Sequence, residues 1–407
     1  MKHLERTVYG GVDTHQDVHV AAVIDHVGTL LDTKSFPTTP LGLKSLERWL
    51  SKHGMVVKVG VEGTGTYGLG LQRVLQAAGH EVVEVNRPNR QLRRAKGKSD
   101  TIDAESAARA VLAGHATATP KAHDGIIEAI RVLLVAHTST MRALQKAGAR
   151  IRSLTITAPE ALRIELANLT TPARAARAAR MRPGDDPSDV ATATRTALRL
   201  LGRQYLSLVE DHKMLEAQLE DLTTRANPGL RQVPGVGPLV AATLLVAAGD
   251  NPDRMTSEAA FAALCGASPV PASSGKTTAM RLNRGGNRQA NSALFRIAVV
   301  RLSHHHQPTV DYLNRRTAEG KTKRSILRCL KRFIAREIYS HLVNPKPAIQ
   351  TDDLRARRTS IGHPMRIVAV AVGASLVEIS RLERGINHDP NLALRYRDWI
   401  TQQEAAS

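Results

Sequence analysis

The feature that most constrains this chain is a change of hydrophobic period near residue 115. Between Thr7 and Pro37, apolar and β-branched residues recur with strand-like alternation through TVYGGVD, VHVAAVID and TLLDTKSF, with an HVG turn before the last. This period of two reads as three short strands. The sequence then predicts a helix over 40–53, with Leu43, Leu46, Trp49 and Leu50 on one face. A strand over 56–61, a helix over about 67–78, a strand over 81–85 and a very basic helical stretch to Gly114 follow. Hairpin-like strands followed by alternating helix and strand predict a mixed-sheet α/β domain over residues 1–115.

Downstream the strand signals stop. Residues 126–156 and 189–224 are rich in Ala, Leu and Arg, and a Pro/Gly/Asp break separates them. Leu201, Leu208, Leu215 and Leu222 fall seven apart, with Tyr205, His212 and Leu219 at the offset-four positions. This is a helical seam of about three heptads, open to a partner chain or to an antiparallel hairpin within one chain. Residues 116–226 are therefore read as a helical coiled-coil region and 227–343 as a third, helical region. VNPKPAIQ is a proline-containing linker, and 351–407 form a compact helical tail.

The charge narrows the partners. Lysine and arginine number 57 against 37 aspartates and glutamates, a formal +20, more than solubility requires and suited to a polyanion. Aromatics are 3% of residues, too sparse for a stacking platform, so contact to the phosphate backbone of a nucleic acid is favoured. Cys265 and Cys329 stand far apart without metal-ligand spacing. Neither a signal peptide nor an apolar run of bilayer length is present, and the expectation is a soluble, cytoplasmic, nucleoid-associated protein without membrane contact.

Four carboxylates stand where chemistry is expected. Asp13 ends the first strand, Glu62 ends VVKVGVEG, and Asp100 and Asp103 lie three apart at a helix start in SDTIDAE. Singly, each has a plainer reading as a turn residue, a strand terminus or a helix cap. Together they form a candidate site for two Mg²⁺ ions, or Mn²⁺, since carboxylates that converge need hard cations. Arg87, Arg90, Arg93, Arg94, Lys96 and Lys98 crowd the segment just upstream and could hold phosphates beside such a site.

Farther on, LRQVPGVGPLVAATLLVAAG has the pattern of a helix-hairpin-helix. In it Gly235 and Gly237 would let backbone amides approach a phosphate; a simple turn between helices fits as well. GASPVPASSGK then offers Ser273, Ser274, Gly275 and Lys276, followed by Arg281, Arg284 and Arg288. A serine among cations is suited to attack phosphorus, although spacing alone does not separate it from an ordinary surface loop.

GVDTHQD, VGVEGTGTY, NRPNRQLRRAKGKSDTIDAESAARA, LRQVPGVGPLVAATLL, GASPVPASSGK and RGGNRQANSALF occur in that order. The combination resembles the DEDD insertion-sequence transposases, a family that includes pilin-gene invertases, over roughly residues 7–340. The resemblance implies a RuvC-like N-terminal half with the tetrad Asp13, Glu62, Asp100 and Asp103, and a C-terminal half with a nucleophilic serine. That serine maps onto Ser274, with Ser273 leaving the register open. It also implies a serine–phosphate intermediate, a homo-oligomer with the metal site assembled between protomers, and, from some members, a guide RNA.

MRIVAVAVGASLVEISRLERG in the tail resembles a repressor-type helix-turn-helix. Ala369, Gly373, Ser375, Ile379, Glu383 and Gly385 fall at its packing and turn positions, and Ser380, Arg381 and Arg384 at its exposed ones. Met365 departs from the glutamine often found opening the second helix. LRARR and NLALRYRDWI look like the outer helices, and a vestigial or protein-docking tail is the plainer alternative. The sequence thus predicts a DNA recombinase. A Holliday-junction-type nuclease, which needs no serine, and a non-catalytic DNA-binding regulator are its rivals.

Overall fold

The computed structural model of the chain describes residues 6–85, 99–251, 254–273, 280–385 and 389–406. They divide into two compact units, Met1–His123 with Asn251–Arg254, and Asp124–Asp250 with Met255–Ser407.

The first unit is built on a five-stranded mixed sheet of β1 (Thr7–Thr14), β2 (Val18–Asp25), β3 (Leu30–Pro37), β4 (Met55–Glu62) and β5 (Val82–Val85). Its order is β3-β2-β1-β4-β5. The first three strands pair antiparallel because short turns join them. One turn places Gly28 at φ +87°, with the Asp25 carboxylate accepting from the amides of Val27 and Thr29. β4 lies parallel to β1, and β5 parallel to β4, because helices α1 (Pro40–Lys52) and α2 (Leu69–Ala77) carry the chain back across the sheet. Thr39 caps α1 by accepting from the Gly42 amide. The predicted face of Leu43, Leu46, Trp49 and Leu50 is buried with Val12, Val23, Val61, Leu71 and Leu75.

The opposite face of the sheet receives α3 (Asp100–Leu112). What allows its approach is a glycine floor. Gly11 of β1 stands opposite Gly60 of β4 in register, and Ala104, Ala107 and Ala108 of α3 rest there. A methyl group on Gly11 would lie 2.2 Å from both the Ala104 carbonyl oxygen and the Ala108 nitrogen; one on Gly60 would lie 2.6 Å from Val111 Cγ2. Such contact is possible only without side chains, and it fixes where the first turn of α3 lands.

In the second unit, α4 (Gly125–Thr157) and α7 (Val190–Ala226) form an antiparallel hairpin. Ile130 shares a core with Leu219, the rings of His137 and His212 meet, and Gly148 lies against Tyr205. The heptad seam of α7 is thus filled from within this chain. Leu215 and Leu219 are buried along it, and Leu201, Leu208 and Leu222 are half-buried. Short helices α5 (Glu160–Ala167) and α6 (Thr171–Ala179) connect the arms. α6 packs at Gly202, where a methyl would stand 2.6 Å from the Ala175 carbonyl oxygen.

A second core of this unit joins α8 (Pro228–Arg231), α9 (Pro238–Ala248), α10 (Glu258–Leu264), α11 (Arg288–Ser303), α12 (Gln307–Ala318) and α13 (Lys323–Val343). It is centred on Leu244, Phe261, Leu294, Ile297, Ile334 and Ile338. The proline-containing segment after α13 is tied down: the Gly229 amide donates to the Lys346 carbonyl at 3.1 Å, and the Ile349 amide to Gln232 at 2.7 Å. Beyond it α14 (Asp352–Ser360), α15 (Met365–Ala371), α16 (Leu376–Glu383) and α17 (Pro390–Ala406) enclose a core of Leu354, Val368, Ile379, Leu382, Tyr396 and Ile400. No helix among the described residues is long and apolar enough to cross a membrane.

Candidate functional site

β1 and β4 run parallel, so their C-terminal ends share one edge of the sheet. Asp13 is the next-to-last residue of β1 and is 7% exposed; Glu62 is the last of β4 and half-buried. The two ends are joined by the Thr14 hydroxyl, which donates to the Glu62 carbonyl at 2.7 Å. The glycine floor sets the first turn of α3 over this edge, and that turn carries exposed Asp100 and buried Asp103. Their spacing of three puts them on one face.

His15 completes the cluster. It follows Asp13 by two residues, and its Nε2 lies 3.2 Å from Asp13 Oδ2 and 3.5 Å from Asp100 Oδ1. Burial pushes the Asp13 carboxyl above the usual carboxylate range; His15 opposes this, and the charges of Asp103 and Asp100 add to it. A carboxylate desolvated beside two others is an arrangement that a cation relieves. Asp13, His15 and Asp100 each offer a donor atom within 4.8 Å of the others, and this oxygen-rich set fits a divalent cation. An open depression beside it is lined by His15, Asp17, Val18, Val20, Tyr67 and Asp100.

The structure therefore brings Asp13, Asp100 and Asp103 together and places Glu62 on the same sheet edge. Arg87, Arg90, Arg93, Arg94, Lys96 and Lys98 lie outside the described residues.

In the second unit, Gly235 turns the chain between α8 and α9 at φ +85°, and Gly237 caps the N-terminus of α9. Arg301, 6% exposed, holds this turn by donating from Nε to the Pro234 carbonyl at 2.8 Å while its other nitrogens grip Glu337. The segment predicted to carry the nucleophile begins and ends in a two-stranded ribbon, β6 (Val270–Pro271) and β7 (Met280–Arg281). Ser273 follows β6; Ser274, Gly275 and Lys276 lie outside the described residues. Arg281, Arg284 and Arg288 are all exposed beyond it.

The segments that flank this ribbon are held together by a polar cradle. Gly286 meets Gly266 so closely that a methyl on it would lie 2.3 Å from the Gly266 nitrogen. The Asn291 side chain donates to the Cys265 carbonyl at 2.7 Å and accepts from Lys331 Nζ at 2.9 Å. Burial, with Arg328 nearby, lowers the Lys331 pKa.

In the tail, Gly373 turns the chain at φ +65° between α15 and α16, Ser375 and Glu378 form a reciprocal capping box, and Gly385 closes α16 at φ +63°. Arg381 and Arg384 are exposed on α16 and just past its end, and Ser380 is half-exposed. Arg358 is bidentate to Glu383 at 2.6 and 3.0 Å, and the Tyr396 hydroxyl donates to the same carboxylate at 2.6 Å.

His15, the Gly11–Gly60 pair and the Asn291–Lys331 cradle were not singled out by sequence. Of these, His15 carried a signal: it stands two residues after Asp13, just past the end of β1, where continued strand alternation would turn it to the same side.

Comparison with known proteins finds two family matches, the first of which runs from the first unit into the long helix that opens the second. Residues 10–157 match a family model of DEDD type described as a transposase, and residues 228–314 match one described as transposase IS116/IS110/IS902 family. A mini-circle protein of Streptomyces coelicolor, named for the IS117 transposase, is 25% identical over 325 residues, covering 66% of this chain and 78% of that protein. The uncharacterized 43.6 kDa protein of insertion element IS110 from the same organism is 33% identical over 135 residues, 32% of this chain and 33% of its own length.

Proposed function

Because the chain belongs to the IS116/IS110/IS902 family of insertion-sequence transposases, we propose that it cuts and rejoins DNA as a recombinase, using the acidic edge of its first unit and a serine of its second. The observation that carries this reading is the convergence of Asp13, His15 and Asp100, with buried Asp103, at the ends of parallel strands. Transposase matches on both units speak for a DNA-cleaving and rejoining enzyme.

The residues divide the work as follows. Asp13, Glu62, Asp100 and Asp103 would hold Mg²⁺, or Mn²⁺, as a two-ion site in the RuvC-like manner, with His15 fixing the carboxylates of Asp13 and Asp100. Ions bound there would polarise the scissile phosphate and stabilise the leaving oxygen. The Ser274 hydroxyl, or that of Ser273, attacks phosphorus: a serine O–P bond forms, a P–O bond of the DNA breaks, and the serine proton passes to the departing sugar oxygen. A second DNA hydroxyl then reverses these changes and frees the serine, so the phosphodiester energy is conserved between cutting and joining. Lys276, Arg281, Arg284 and Arg288 offset the charge of the pentacovalent phosphate.

Phosphate contacts at Arg87, Arg90, Arg93, Arg94, Lys96, Lys98 and at the Gly235–Gly237 turn hold the duplex. Ser380, Arg381 and Arg384 present α16 to the major groove as a repressor-type reading head. A homo-oligomer and an element-encoded guide RNA are further parts of the proposal that rest on the family alone.

The test is Asp100→Asn in the full-length protein, assayed on DNA carrying the ends that flank the gene. Divalent-metal-dependent cleavage should be lost while DNA affinity is kept. Cleavage at the wild-type rate, or undiminished cleavage in excess chelator, would remove the acidic edge from the mechanism.

A further inference from the structure

The hairpin of α4 and α7 holds a cluster that the recombination chemistry does not use. His137 comes from one arm, and His212 and Glu216, spaced i,i+4 and so on one face, come from the other. His212 occupies a position of the heptad whose neighbours along the seam, Tyr205 and Leu219, are buried, so an apolar residue is expected there. Instead two imidazoles meet, with ring centroids 4.6 Å apart and planes at 42°.

Their polarity is not satisfied by hydrogen bonding. The Nε2 atoms of both His137 and His212 are buried without a hydrogen-bond partner, and buried polar atoms left so are costly. His212 Nδ1 stands 3.4 Å from Glu216 Oε2, and His137 Nε2 stands 3.9 Å from Glu216 Oε1. The three residues offer donor atoms within 4.8 Å of one another. A tetrahedral zinc ion with bonds of about 2.0–2.1 Å keeps its ligand atoms about 3.3 Å apart. The contacts of the half-exposed Glu216 with the two rings, at 3.4 and 3.9 Å, are close to that spacing.

We propose that His137, His212 and Glu216 form a site for a borderline divalent cation of the zinc class, which clamps the two arms of the hairpin and leaves one coordination position to water. Two imidazoles and one carboxylate suit zinc better than the hard cations drawn to the carboxylate-dominated edge of the first unit. The site is independent of the recombinase reading, since neither its residues nor its helices carry the proposed cleavage chemistry.

The test uses the full-length protein stripped by chelator and dialysed, with Mg²⁺ in excess to occupy the acidic edge. Zn²⁺ is then titrated against a chromophoric competitor, and Co²⁺ is added separately to read tetrahedral coordination from its visible absorption. Wild type should bind one equivalent that Mg²⁺ does not displace. His212→Leu, which supplies the residue type the seam expects, and Glu216→Gln should each weaken it by more than the ~10–100-fold typical of losing an outer-shell partner. Both should also lose the cobalt absorption. No Zn²⁺ bound in the presence of Mg²⁺, or unchanged affinity in either variant with wild-type circular dichroism, would overturn the site and leave the histidines as a packing pair.

Discussion

Gly11→Ala is the substitution that most sharply separates folding from site assembly. The added methyl would lie 2.2 Å from the Ala104 carbonyl oxygen and from the Ala108 nitrogen, and ordinary contact begins at 3.4 Å. Both atoms are helix backbone, so no rotamer change relieves the clash. α3 must withdraw by about 1.2 Å, the difference between those distances, as a rigid rod. Overpacking of this kind costs about 1–3 kcal/mol, which for a unit of this size is a fall in Tm of roughly 4–12 °C. The larger effect is chemical, because α3 carries Asp100 and Asp103, and a displacement of about 1 Å at reacting groups can cost ~10²-fold in rate. Excision of a marked copy of the element from a plasmid, counted by quantitative amplification of the resealed donor, should drop at least that far while the protein remains folded at growth temperature. Gly10→Ala is the control. Its methyl meets Leu50 Cδ2 at 3.1 Å and Val59 Cγ1 at 3.2 Å, side-chain ends that can yield, so it should cost about 1 kcal/mol and keep excision within roughly tenfold. Wild-type excision by Gly11→Ala would refute the claim that this glycine floor positions the acidic residues.

Three further outcomes follow from the same geometry. Asp13→Asn should raise the Tm of the metal-free protein while abolishing cleavage. A carboxyl whose pKa is raised on folding binds its proton more tightly when folded, so its ionised form costs stability above that pKa; differential scanning calorimetry at neutral pH in chelator checks the sign. In the tail, burial pushes Glu383 up, but the hydrogen bonds from Arg358 and Tyr396 outweigh it and hold its pKa below the ordinary 4.5. That stability is present above the unfolded value and is lost as pH falls through the folded one. Glu383→Ala, which strands the buried Arg358, should destabilise the tail by about 3–5 kcal/mol, read as loss of hydrogen-exchange protection in α14–α17 at neutral pH. Deleting residues 351–407 should weaken DNA binding or shift its site preference in gel-shift assays while metal-dependent cleavage persists.

The elements of the first unit were legible because each obeys one rule at a time. Alternation gave β1 to β3, and the stripe of Leu43, Leu46, Trp49 and Leu50 gave α1, whose buried residues are those four and Gly42. The heptad of α7 was equally visible, but the same leucines serve a partner chain or a second arm. Only the placement of Ile130, His137 and Gly148 opposite Leu219, His212 and Tyr205 shows that α4 fills the seam. Carboxylates at strand ends and a helix start could be found from the sequence, since element termini are where open side chains collect. The glycine pair behind them could not, because an in-register contact between Gly11 and Gly60 is 49 residues distant in the chain and leaves no local pattern. Asn291 and Lys331 escaped for the same reason: each is unremarkable on its own helix, and their role arises from where α11 and α13 pack against the Cys265 turn.

In the proposed strand transfer, carboxylates that hold Mg²⁺ and a nucleophilic serine serve one reaction. Trapping cleaved DNA on the protein in Mg²⁺, followed by mass spectrometry of the modified peptide, tests it most directly. The predicted result is a phosphoserine-linked nucleotide at Ser274, abolished by Ser274→Ala and by Asp100→Asn but kept by Ser273→Ala. An adduct on Ser273 would move the nucleophile by one residue and leave the reaction unchanged. Free DNA ends from an active wild-type protein that never becomes attached would contradict it, and would make the acidic edge that of a nuclease using water.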